Sequence, residues 1–259
     1  MTATVLHRLG IRPATLGLWR SILIYRGQFW RRRALERFCR TLVRPGDLAF
    51  DIGAHVGNRS EALARAGARV VAFEPQPRLA DFLERRVANG PIRLDRRAVG
   101  AEAGRAELAI APRHPTVSTL SADWRRRVGE DRGFRGVEWA ERVEVEVTTL
   151  DRLIAQYGEP AFCKIDVEGH EAEVLAGLSR PLRLLAFEYT PATLDIAERC
   201  LDRLAALGTY RFNLVVGESF RYRRAEWLPA AAFRAALAQE AGRNTRSGDV
   251  YARLEEPER

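Results

Sequence analysis

Two acidic residues, Asp51 and Glu74, occupy positions where a carboxylate could bind a small ligand. Each lies at or just after the end of an apolar segment that predicts a β-strand, and a turn with Gly53 and Gly57 lies between them. Ligands of open parallel sheets bind at the carboxyl ends of the strands, where an acidic residue about 20 residues beyond the first turn accepts hydrogen bonds from ribose hydroxyls. The pattern therefore predicts a site for a cofactor that contains adenosine.

The residues of the turn favour a positively charged cofactor over a dinucleotide. A dinucleotide site needs the pattern G-x-G-x-x-G, whose bare amides face a pyrophosphate, but His55 replaces the middle glycine here. Asp51 would repel a pyrophosphate and attract the ammonium or sulfonium group of S-adenosylmethionine. Two alternatives remain open: a nicotinamide cofactor, or glycines that only shape a turn capped by Asp51.

A second group of chemically active residues follows another predicted strand, in the run DVEGH at residues 166–170. Asp166, Glu168 and His170 are candidate catalytic residues, because a carboxylate or an imidazole can take the proton of an acceptor hydroxyl. Each has a structural alternative, as a cap, a partner of the helix dipole or an ordinary helix-start residue. The three could also bind a divalent ion, but a helix that starts at His170 would misalign them, so we predict no metal site.

Lys164 is the only lysine among the 42 lysines and arginines of the chain, and it lies mid-strand on the same side as Asp166. A lysine in so arginine-rich a chain suggests a space that fits only a compact ammonium. We predict that it pairs with Asp166 or with Glu188, which ends the next strand and could instead contact the acceptor. Lys164→Arg should therefore cost more activity or stability than a surface change.

The elements that must position these residues alternate between strand and helix from about residue 48 onward. The alternation predicts an α/β domain with a doubly wound, mostly parallel seven-stranded sheet, including a third strand at residues 92–99. Asn58 and Glu61 form a capping-box pattern at the first helix. Residues 104–150 break the alternation and predict an inserted β-hairpin, whose loop at residues 112–141 is a candidate substrate lid.

The first part of the chain has a different composition, rich in arginine and aromatic residues at helical spacing. We predict an N-terminal helical extension at residues 1–44, followed by one catalytic domain at residues 45–259. The segment at residues 19–33 is either a helical cover on the sheet or cofactor pocket, or a peripheral contact with an anionic membrane or lipid-linked glycan. In the second case the chain would be a membrane- or glycan-binding module with a degenerate cofactor site.

Composition argues against several other classes of protein. The formal net charge is +8, but the arginines are interleaved with Asp and Glu, so we predict no nucleic-acid partner. Cys39, Cys163 and Cys200 are widely spaced and form no C-x-x-C pair, which predicts neither a disulfide framework nor a zinc site. No signal-peptide pattern and no apolar run of about 20 residues is found. These observations predict a cytoplasmic protein.

Five segments, in order from about residue 45, resemble the FkbM family of S-adenosylmethionine-dependent methyltransferases: FDIGAHVGNRSEAL, VVAFEPQP, TTLDRLI, CKIDVEGHEAEVLAGL and SGDVYARL. The resemblance implies a class I methyltransferase (Rossmann-like) fold. It implies that S-adenosyl-L-methionine is the cofactor and S-adenosyl-L-homocysteine the product. It also implies transfer of the methyl group to an oxygen, usually a hydroxyl of a sugar, polyketide or other natural product.

The resemblance further implies which residues surround the cofactor. Those expected around the methionine part are Asp51, Gly53, Ala54, His55, Gly57 and Asn58, with Asp166 facing the ammonium or the acceptor. Glu74 would hold the ribose, with Pro75 and Gln76 at the rim, while Arg97, Ala98 and Val99 would lie against the adenine. In the candidate lid we expect acceptor or lid contacts from His114, Thr116, Ser118, Trp124 and Trp139.

Overall fold

The computed structural model describes residues 29–87, 90–130, 134–243 and 246–255. The strands are β1 (Leu48–Ile52), β2 (Arg69–Phe73), β3 (Ile92–Asp95), β4 (Ala98–Val99), β5 (Gly104–Ile110), β6 (Glu141–Thr148), β7 (Phe162–Ile165), β8 (Leu184–Tyr189), β9 (Tyr210–Val216), β10 (Leu228–Pro229) and β11 (Gly248–Leu254). The helices are α1 (Phe29–Cys39), α2 (Asn58–Arg65), α3 (Pro77–Val87), α4 (Ala122–Gly129), α5 (Leu150–Tyr157), α6 (Glu171–Ala176), α7 (Leu194–Leu207) and α8 (Ala230–Arg243).

The main sheet has the strand order β10-β9-β11-β8-β7-β1-β2-β3. The run from β8 through β7, β1 and β2 to β3 is parallel, and β11 is antiparallel to both of its neighbours. This is the doubly wound, mostly parallel sheet predicted from the sequence, with eight strands in place of seven in the described part of the chain. The extra strand, β10, pairs with edge strand β9 over two residues, too few to leave a strand pattern in the sequence.

The central strands are apolar because helices cover both faces of the sheet. Every residue of β1 and β7 is buried. Phe50 and Phe187 belong to the hydrophobic cluster on one face, while Phe162 and Tyr251 belong to the cluster on the other face. All three cysteines are buried free thiols. Burial on both faces fixes the strand ends against one another.

A second sheet, with the order β4-β6-β5, stands beside the main one. Its antiparallel strands β5 and β6 form the hairpin that the sequence predicted. The single strand predicted at residues 92–99 is wrong, because β3 belongs to the main sheet and β4 to the second. Asp95 explains the break: its carboxylate accepts hydrogen bonds from the backbone N–H of Arg97, at 3.0 Å, and from the guanidinium of the same residue. These local bonds turn the chain between the two sheets.

Helix α2 begins one residue earlier than predicted, because Asn58 is not its N-cap residue. Gly57 is the N-cap residue, with a φ of 80° and no side-chain cap, and Asn58 is already helical. Glu61 pairs with Arg65 at 3.4 Å and with Arg86 at 3.2 Å on the outer face of the helix. The positive φ of Gly57 therefore sets the start of the helix.

The described parts of the candidate lid, residues 112–141, pack as a cover on the main domain. The indole N–H of Trp139 donates to the carbonyl oxygen of Val117 at 2.8 Å. The hydroxyl of Thr119 donates to the carbonyl oxygen of Glu168 at 2.6 Å, just after β7. These bonds fix the cover next to the candidate catalytic residues, and its action as a lid stays a prediction.

Helix α1 is the described part of the predicted N-terminal extension. Its residues Leu35 and Phe38 are buried in the same cluster as Leu63 of α2, so α1 covers one face of the sheet. Residues 1–28 lie outside the described part of the chain, and the boundary at residue 44 and the membrane contact stay predictions. Among the described helices, none combines the length and the apolar character needed to cross a membrane.

Candidate active site

The candidate site lies at the edge of the main sheet where the carboxyl ends of the parallel strands meet. Asp51 is in β1, Glu74 directly follows β2, Asp166 directly follows β7 and Glu188 is in β8. The register of β1 and β7 places Asp51 beside Lys164. Ligands of open α/β sheets bind at this edge. The sheet therefore brings together acidic residues that are far apart in the sequence.

The turn after β1 requires glycine at position 53. Gly53 has a φ of 82°, in the left-handed region that other residues rarely adopt. A Cβ atom at this position would lie 1.8 Å from the backbone oxygen of Asp166. The turn after β1 and the loop after β7 are thus in direct backbone contact. A shift in the turn after β1, which carries predicted cofactor residues, would therefore also shift the loop after β7, which carries the candidate catalytic residues.

Glu74 provides a buried carboxylate that two backbone groups hold in place. Its side chain is 2% exposed. Its Oε2 accepts a hydrogen bond from the N–H of His55 at 2.8 Å, and its Oε1 accepts one from the N–H of Gln76 at 2.9 Å. Burial raises the pKa of Glu74 to about 8, although both hydrogen bonds act in the opposite direction. A carboxylate accepts about four hydrogen bonds, so capacity remains for two ribose hydroxyls.

The stability of the cofactor-free protein is expected to fall as the pH rises from about 6.5 to about 9, above the range in which His55 and His170, whose pKa values burial lowers, make the opposite contribution. Burial raises the pKa of Glu74 to about 8 and that of Glu171 to about 7, so the folded state holds both protons more tightly than the unfolded chain. Their stabilising contribution is complete below the unfolded pKa near 4.5 and is lost as the pH rises through these folded values. Urea unfolding should show a loss of roughly 3 kcal/mol across the range. Glu74→Gln should give a shallower decline, and a flat profile in the parent protein would contradict this prediction.

Asp51 is a buried carboxylate at the carboxyl end of β1. It is 2% exposed and accepts a hydrogen bond from the hydroxyl of Ser60 on α2. Burial raises the pKa of Asp51, while the bond from Ser60 and the charges of Arg59 and Lys164 act to lower it. Asp51 still lines a cavity at this edge and offers a carboxylate to a cationic ligand.

Lys164 is a fully buried ammonium between two carboxylates. Its Nζ lies 3.1 Å from Oδ2 of Asp166 and 3.0 Å from Oδ1 of Asp249, and it donates to the carbonyl oxygen of Ile165 at 3.1 Å. Burial lowers the pKa of Lys164, but the charges of the two carboxylates raise it by more than burial lowers it, so the net shift is upward. Asp249 also accepts a hydrogen bond from Arg59 of α2 at 3.0 Å. The predicted pair with Asp166 is present, and Asp249 extends it into a network that joins β7, β11 and α2.

Lys164→Arg is expected to lower the free energy of unfolding by roughly 2 kcal/mol or more. The ammonium lies within hydrogen-bond distance of three oxygens in a closed space, and a longer planar guanidinium cannot keep all three contacts. Urea unfolding measures the change. The control is Arg69→Lys, which exchanges the same two residue types at the exposed start of β2 and should change little. A Lys164→Arg protein as stable as the parent would show that the buried space accepts arginine as well as lysine.

Two adjoining cavities open at this edge. The smaller one, of about 60 Å³, lies between the end of β2 and the inserted sheet. The larger one, of about 330 Å³, lies between the turn after β1, helix α1 and the end of β8. The residues that line both are Gly53, His55, Thr116, Asp166 and Glu168. The larger volume is in the range of small-molecule sites, so a nucleoside and an acceptor could be held side by side.

The predicted cofactor residues divide between these cavities. Those lining only the larger cavity are Asp51, Ala54 and Asn58, and those lining only the smaller one are Glu74, Pro75 and Ala98, next to Gln76, Arg97 and Val99. Gly57 lines neither of the two. A Cβ atom at Gly57 would lie 2.7 Å from the side chain of Leu83, so its lack of a side chain serves packing against α3.

Three carboxylates meet where the two cavities join. One carboxylate oxygen each from Asp166, Glu168 and Glu188 lies within 4.8 Å of the others. Burial, together with the neighbouring acids, raises the pKa of both Glu168 and Glu188 well above the ordinary value. A raised pKa makes a carboxylate a stronger base, so this cluster suits proton transfer. Oxygens at this spacing could also bind a divalent cation.

His170 lies apart from this cluster. It lines the smaller cavity, and its Nδ1 is 3.8 Å from Oε2 of Glu173. Burial lowers the pKa of His170, which favours the neutral imidazole. The alternative metal set of Asp166, Glu168 and His170 is not the one assembled, because Glu188 takes the third position. From the sequence, Glu188 was only a possible partner of Lys164 or contact of the acceptor, because the pairing of β7 with β8 is what brings it to the cluster.

The predicted contacts in the cover fall into two groups. Thr116 lines both cavities, and Ser118 lines the smaller one. Trp124 is 1% exposed and packs edge-on against Trp139, with ring centroids 6.4 Å apart. Both tryptophans therefore form the interior of the cover, and His114 does not line either cavity.

The strand order and the acidic ends of β1 and β2 define a class I S-adenosylmethionine-dependent methyltransferase, with a Rossmann-like fold. Residues 51–223 match the profile of the methyltransferase FkbM domain. The chain belongs to the FkbM methyltransferase family, which confirms the resemblance drawn from the sequence motifs.

Curated relatives share moderate identity with this chain. The 31-O-demethyl-FK506 methyltransferase FkbM of Streptomyces tacrolimicus is 32% identical over an alignment of 161 residues, which covers 52% of this chain and 61% of that protein. The hexuronic acid methyltransferase AglP of Haloferax volcanii is 24% identical over 168 residues, which are 62% of this chain and 64% of that protein. In both cases the chain spans less than two thirds of the length of the relative.

Solved structures with similar architecture include an O-methyltransferase from Bacillus cereus in complex with SAH. It has a TM-score of 0.47 and 13% identity, covering 92% of this chain and 90% of that one. Fibrillarin from Aeropyrum pernix, in complex with S-adenosyl-L-methionine, has a TM-score of 0.44 and 13% identity, covering 82% of this chain and 68% of that one.

Proposed function

We propose that this protein transfers the methyl group of S-adenosyl-L-methionine to a hydroxyl oxygen of a small-molecule or glycan acceptor. One observation carries the proposal: a cavity with the buried carboxylate of Glu74 adjoins a larger cavity, and acidic side chains line the junction. The smaller cavity offers Glu74 to the ribose, and the larger one has room for the acceptor. This arrangement supports an enzyme over a binding module with a degenerate cofactor site.

The lining residues fit a cationic nucleoside cofactor. In the proposed complex, Glu74 accepts hydrogen bonds from the ribose hydroxyls, and Pro75 and Ala98 flank the adenine. Asp51 and Asp166 face the ammonium and sulfonium groups, which they attract by charge. The cofactor residues proposed around the methionine part are Gly53, Ala54, His55 and Asn58, with Gly57 supporting the turn from behind.

The chain can promote methyl transfer mainly by positioning. The bound cofactor supplies a methyl carbon that its sulfonium already activates. The walls of the larger cavity hold the acceptor oxygen in line and exclude water, which can account for much of the rate. Glu168 accepts the hydroxyl proton, since it lines both cavities and burial raises its pKa. Asp166 and Glu188 orient the same hydroxyl. His170, the third candidate catalytic residue, lines the smaller cavity and contacts the cofactor side of the reacting groups.

The relatives point to the range of acceptors. The names of the two curated relatives specify a demethylated natural product and a hexuronic acid. We infer a small molecule or a glycan as the acceptor of this chain, in place of a nucleic acid, because the larger cavity of about 330 Å³ has the volume of a small-molecule site. A cytoplasmic location is part of the same proposal.

The test is methyl transfer from isotopically labelled S-adenosyl-L-methionine to a panel of sugars and hydroxylated natural products, with and without EDTA. The proposal expects an O-methyl product in nuclear magnetic resonance spectra and the same rate in EDTA. Glu168→Gln should lower kcat about 100-fold while the Kd for the cofactor changes less than about threefold. The control is Glu107→Gln, at an exposed position of β5. Methylation of nitrogen or carbon only, or an unchanged kcat in Glu168→Gln, would overturn the proposal.

A further inference from the structure

Helix α1 forms one wall of the larger cavity with Arg31, Arg32 and Leu35. The helix is fixed in place, because Leu35 and Phe38 are buried against the sheet and Glu36 pairs with Arg65 of α2 at 2.6 Å. The arginines of this wall therefore have a defined position relative to the cavity. They face a cavity whose other walls carry the acidic residues of the candidate site.

The arginines of the cavity differ in their partners. Arg31 pairs with Glu218 at 2.6 Å, and Arg59 pairs with Asp249 at 3.0 Å. Arg32 is half-buried and has no ion pair or hydrogen bond among the described residues. A partly desolvated guanidinium gains strongly from a bidentate carboxylate, since such charge-assisted pairs are about twice as strong as neutral hydrogen bonds. Arg32 is therefore an anion-binding group available to a ligand.

The acidic residue that could neutralise Arg32 within its own helix is already engaged. Glu36 lies four residues after Arg32, at the spacing of helical ion pairs, but its carboxylate binds Arg65. The first turn of α1 carries no acidic residue. The helix thus leaves a positive charge on the cavity side, while the junction with the nucleoside cavity is lined by carboxylates.

We propose that the acceptor carries a carboxylate in addition to its reactive hydroxyl, and that Arg32 binds that carboxylate. This inference rests on the proposed O-methylation and adds the chemical class of the acceptor. The hydroxyl then faces Glu168 and Glu188 at the junction, and the carboxylate faces α1. A hydroxy acid fits both walls, whereas a neutral acceptor leaves Arg32 without a partner.

The methionine carboxylate of the cofactor has the same chemistry and is the other possible partner of Arg32. Arg59 is nearer to that group, because it lines the same cavity from the first turn of α2, directly after the turn that follows β1, and its pair with Asp249 leaves further guanidinium N–H groups to donate. Separate measurements of cofactor and acceptor binding distinguish the two sources. If Arg32 serves the cofactor, its loss must weaken binding of S-adenosyl-L-homocysteine.

The experiment compares acids with their neutral counterparts on protein saturated with S-adenosyl-L-homocysteine. The pairs are methyl glucuronide and methyl glucoside, salicylate and methyl salicylate, and lactate and methyl lactate. Calorimetry gives each Kd, and labelled methyl transfer gives KM and kcat. The proteins are the parent, Arg32→Gln, Arg32→Lys and Arg37→Gln, the last being an exposed arginine of α1 that does not line the cavity.

At least one acid should bind the parent and Arg37→Gln about tenfold or more tightly than its neutral partner. Arg32→Gln should remove that preference and raise KM for the acid about tenfold or more, with kcat and the Kd for S-adenosyl-L-homocysteine within about threefold. Arg32→Lys should restore part of the preference. The inference is overturned if no acid is preferred, if the preference survives Arg32→Gln, or if only cofactor binding weakens. Failure of the proposed function appears separately, as absence of methyl transfer from the parent to any hydroxyl.

Discussion

Glu74→Gln is expected to raise the Kd for S-adenosyl-L-methionine about 100-fold. At a pH above its raised pKa of about 8, the ionised carboxylate can accept two hydrogen bonds from the ribose, and bonds to a charged acceptor contribute about 1.5–3 kcal/mol each. The amide has one acceptor oxygen, and its NH₂ group would face either the N–H of His55 or that of Gln76, both of which now donate to Glu74. Isothermal titration calorimetry measures the change.

The control for this prediction is Glu107→Gln, which makes the same chemical change at an exposed position of β5. It should leave the Kd unchanged within about twofold. Circular dichroism must show that the Glu74→Gln protein is folded. If a folded Glu74→Gln protein binds the cofactor as tightly as the parent, Glu74 does not contact the ribose.

Gly53→Ala is expected to abolish measurable cofactor binding and to cost about 3 kcal/mol or more of stability. The added Cβ atom would lie 1.8 Å from the backbone oxygen of Asp166, where no real atom can be placed. The turn after β1 or the loop after β7 must therefore move, and both carry proposed site residues. Urea unfolding and calorimetry with S-adenosyl-L-methionine measure the two effects.

Gly46→Ala separates this collision from backbone strain. Gly46 also has a positive φ, of 90°, but a Cβ atom there has nothing within 4 Å. Its substitution should cost only about 1–2 kcal/mol and leave cofactor binding intact. If both variants lost the same free energy of unfolding, the left-handed conformation, and not the contact between the loops, would be the reason that position 53 requires glycine.

Periodicity in the sequence predicted most of the sheet, because buried parallel strands are continuous apolar runs. It could not predict the break between β3 and β4. The residues from 92 to 99 read as one strand, and the bend comes from the side chain of Asp95 bonding to Arg97 two positions later. Strand β10 was also missed, since a two-residue edge strand has no period to detect.

The candidate site was predicted where its residues follow strands in a recognisable order. Asp51, Glu74 and Asp166 belong to this group. Glu188 was named only as a possible partner of Lys164 or contact of the acceptor, and Asp249 was missed, because their roles depend on the pairing of β8 with β7 and with β11, which no local pattern reveals. The SGD motif at residues 247–249, where β11 begins, was the available signal, as its aspartate is an acidic residue in a mostly buried strand.

The tryptophans of the cover illustrate a different limit. Aromatic residues in a long loop are typical of both ligand contacts and packing, and the sequence cannot distinguish these uses. Trp124 is buried because Gly169, after β7, leaves room for its ring: a Cβ atom at Gly169 would lie 2.1 Å from the indole. Only the distance between two segments far apart in sequence shows that this tryptophan belongs to the interior.

The central claim is that carboxylates at the ends of β1 and β2 select a cationic nucleoside donor over a phosphate-bearing one. Calorimetric titration of the purified protein with S-adenosyl-L-methionine and, in parallel, with NAD⁺ tests it most directly. The account predicts a Kd for S-adenosyl-L-methionine of roughly micromolar order and no detectable heat with NAD⁺. Binding of NAD⁺ at equal or higher affinity would contradict it.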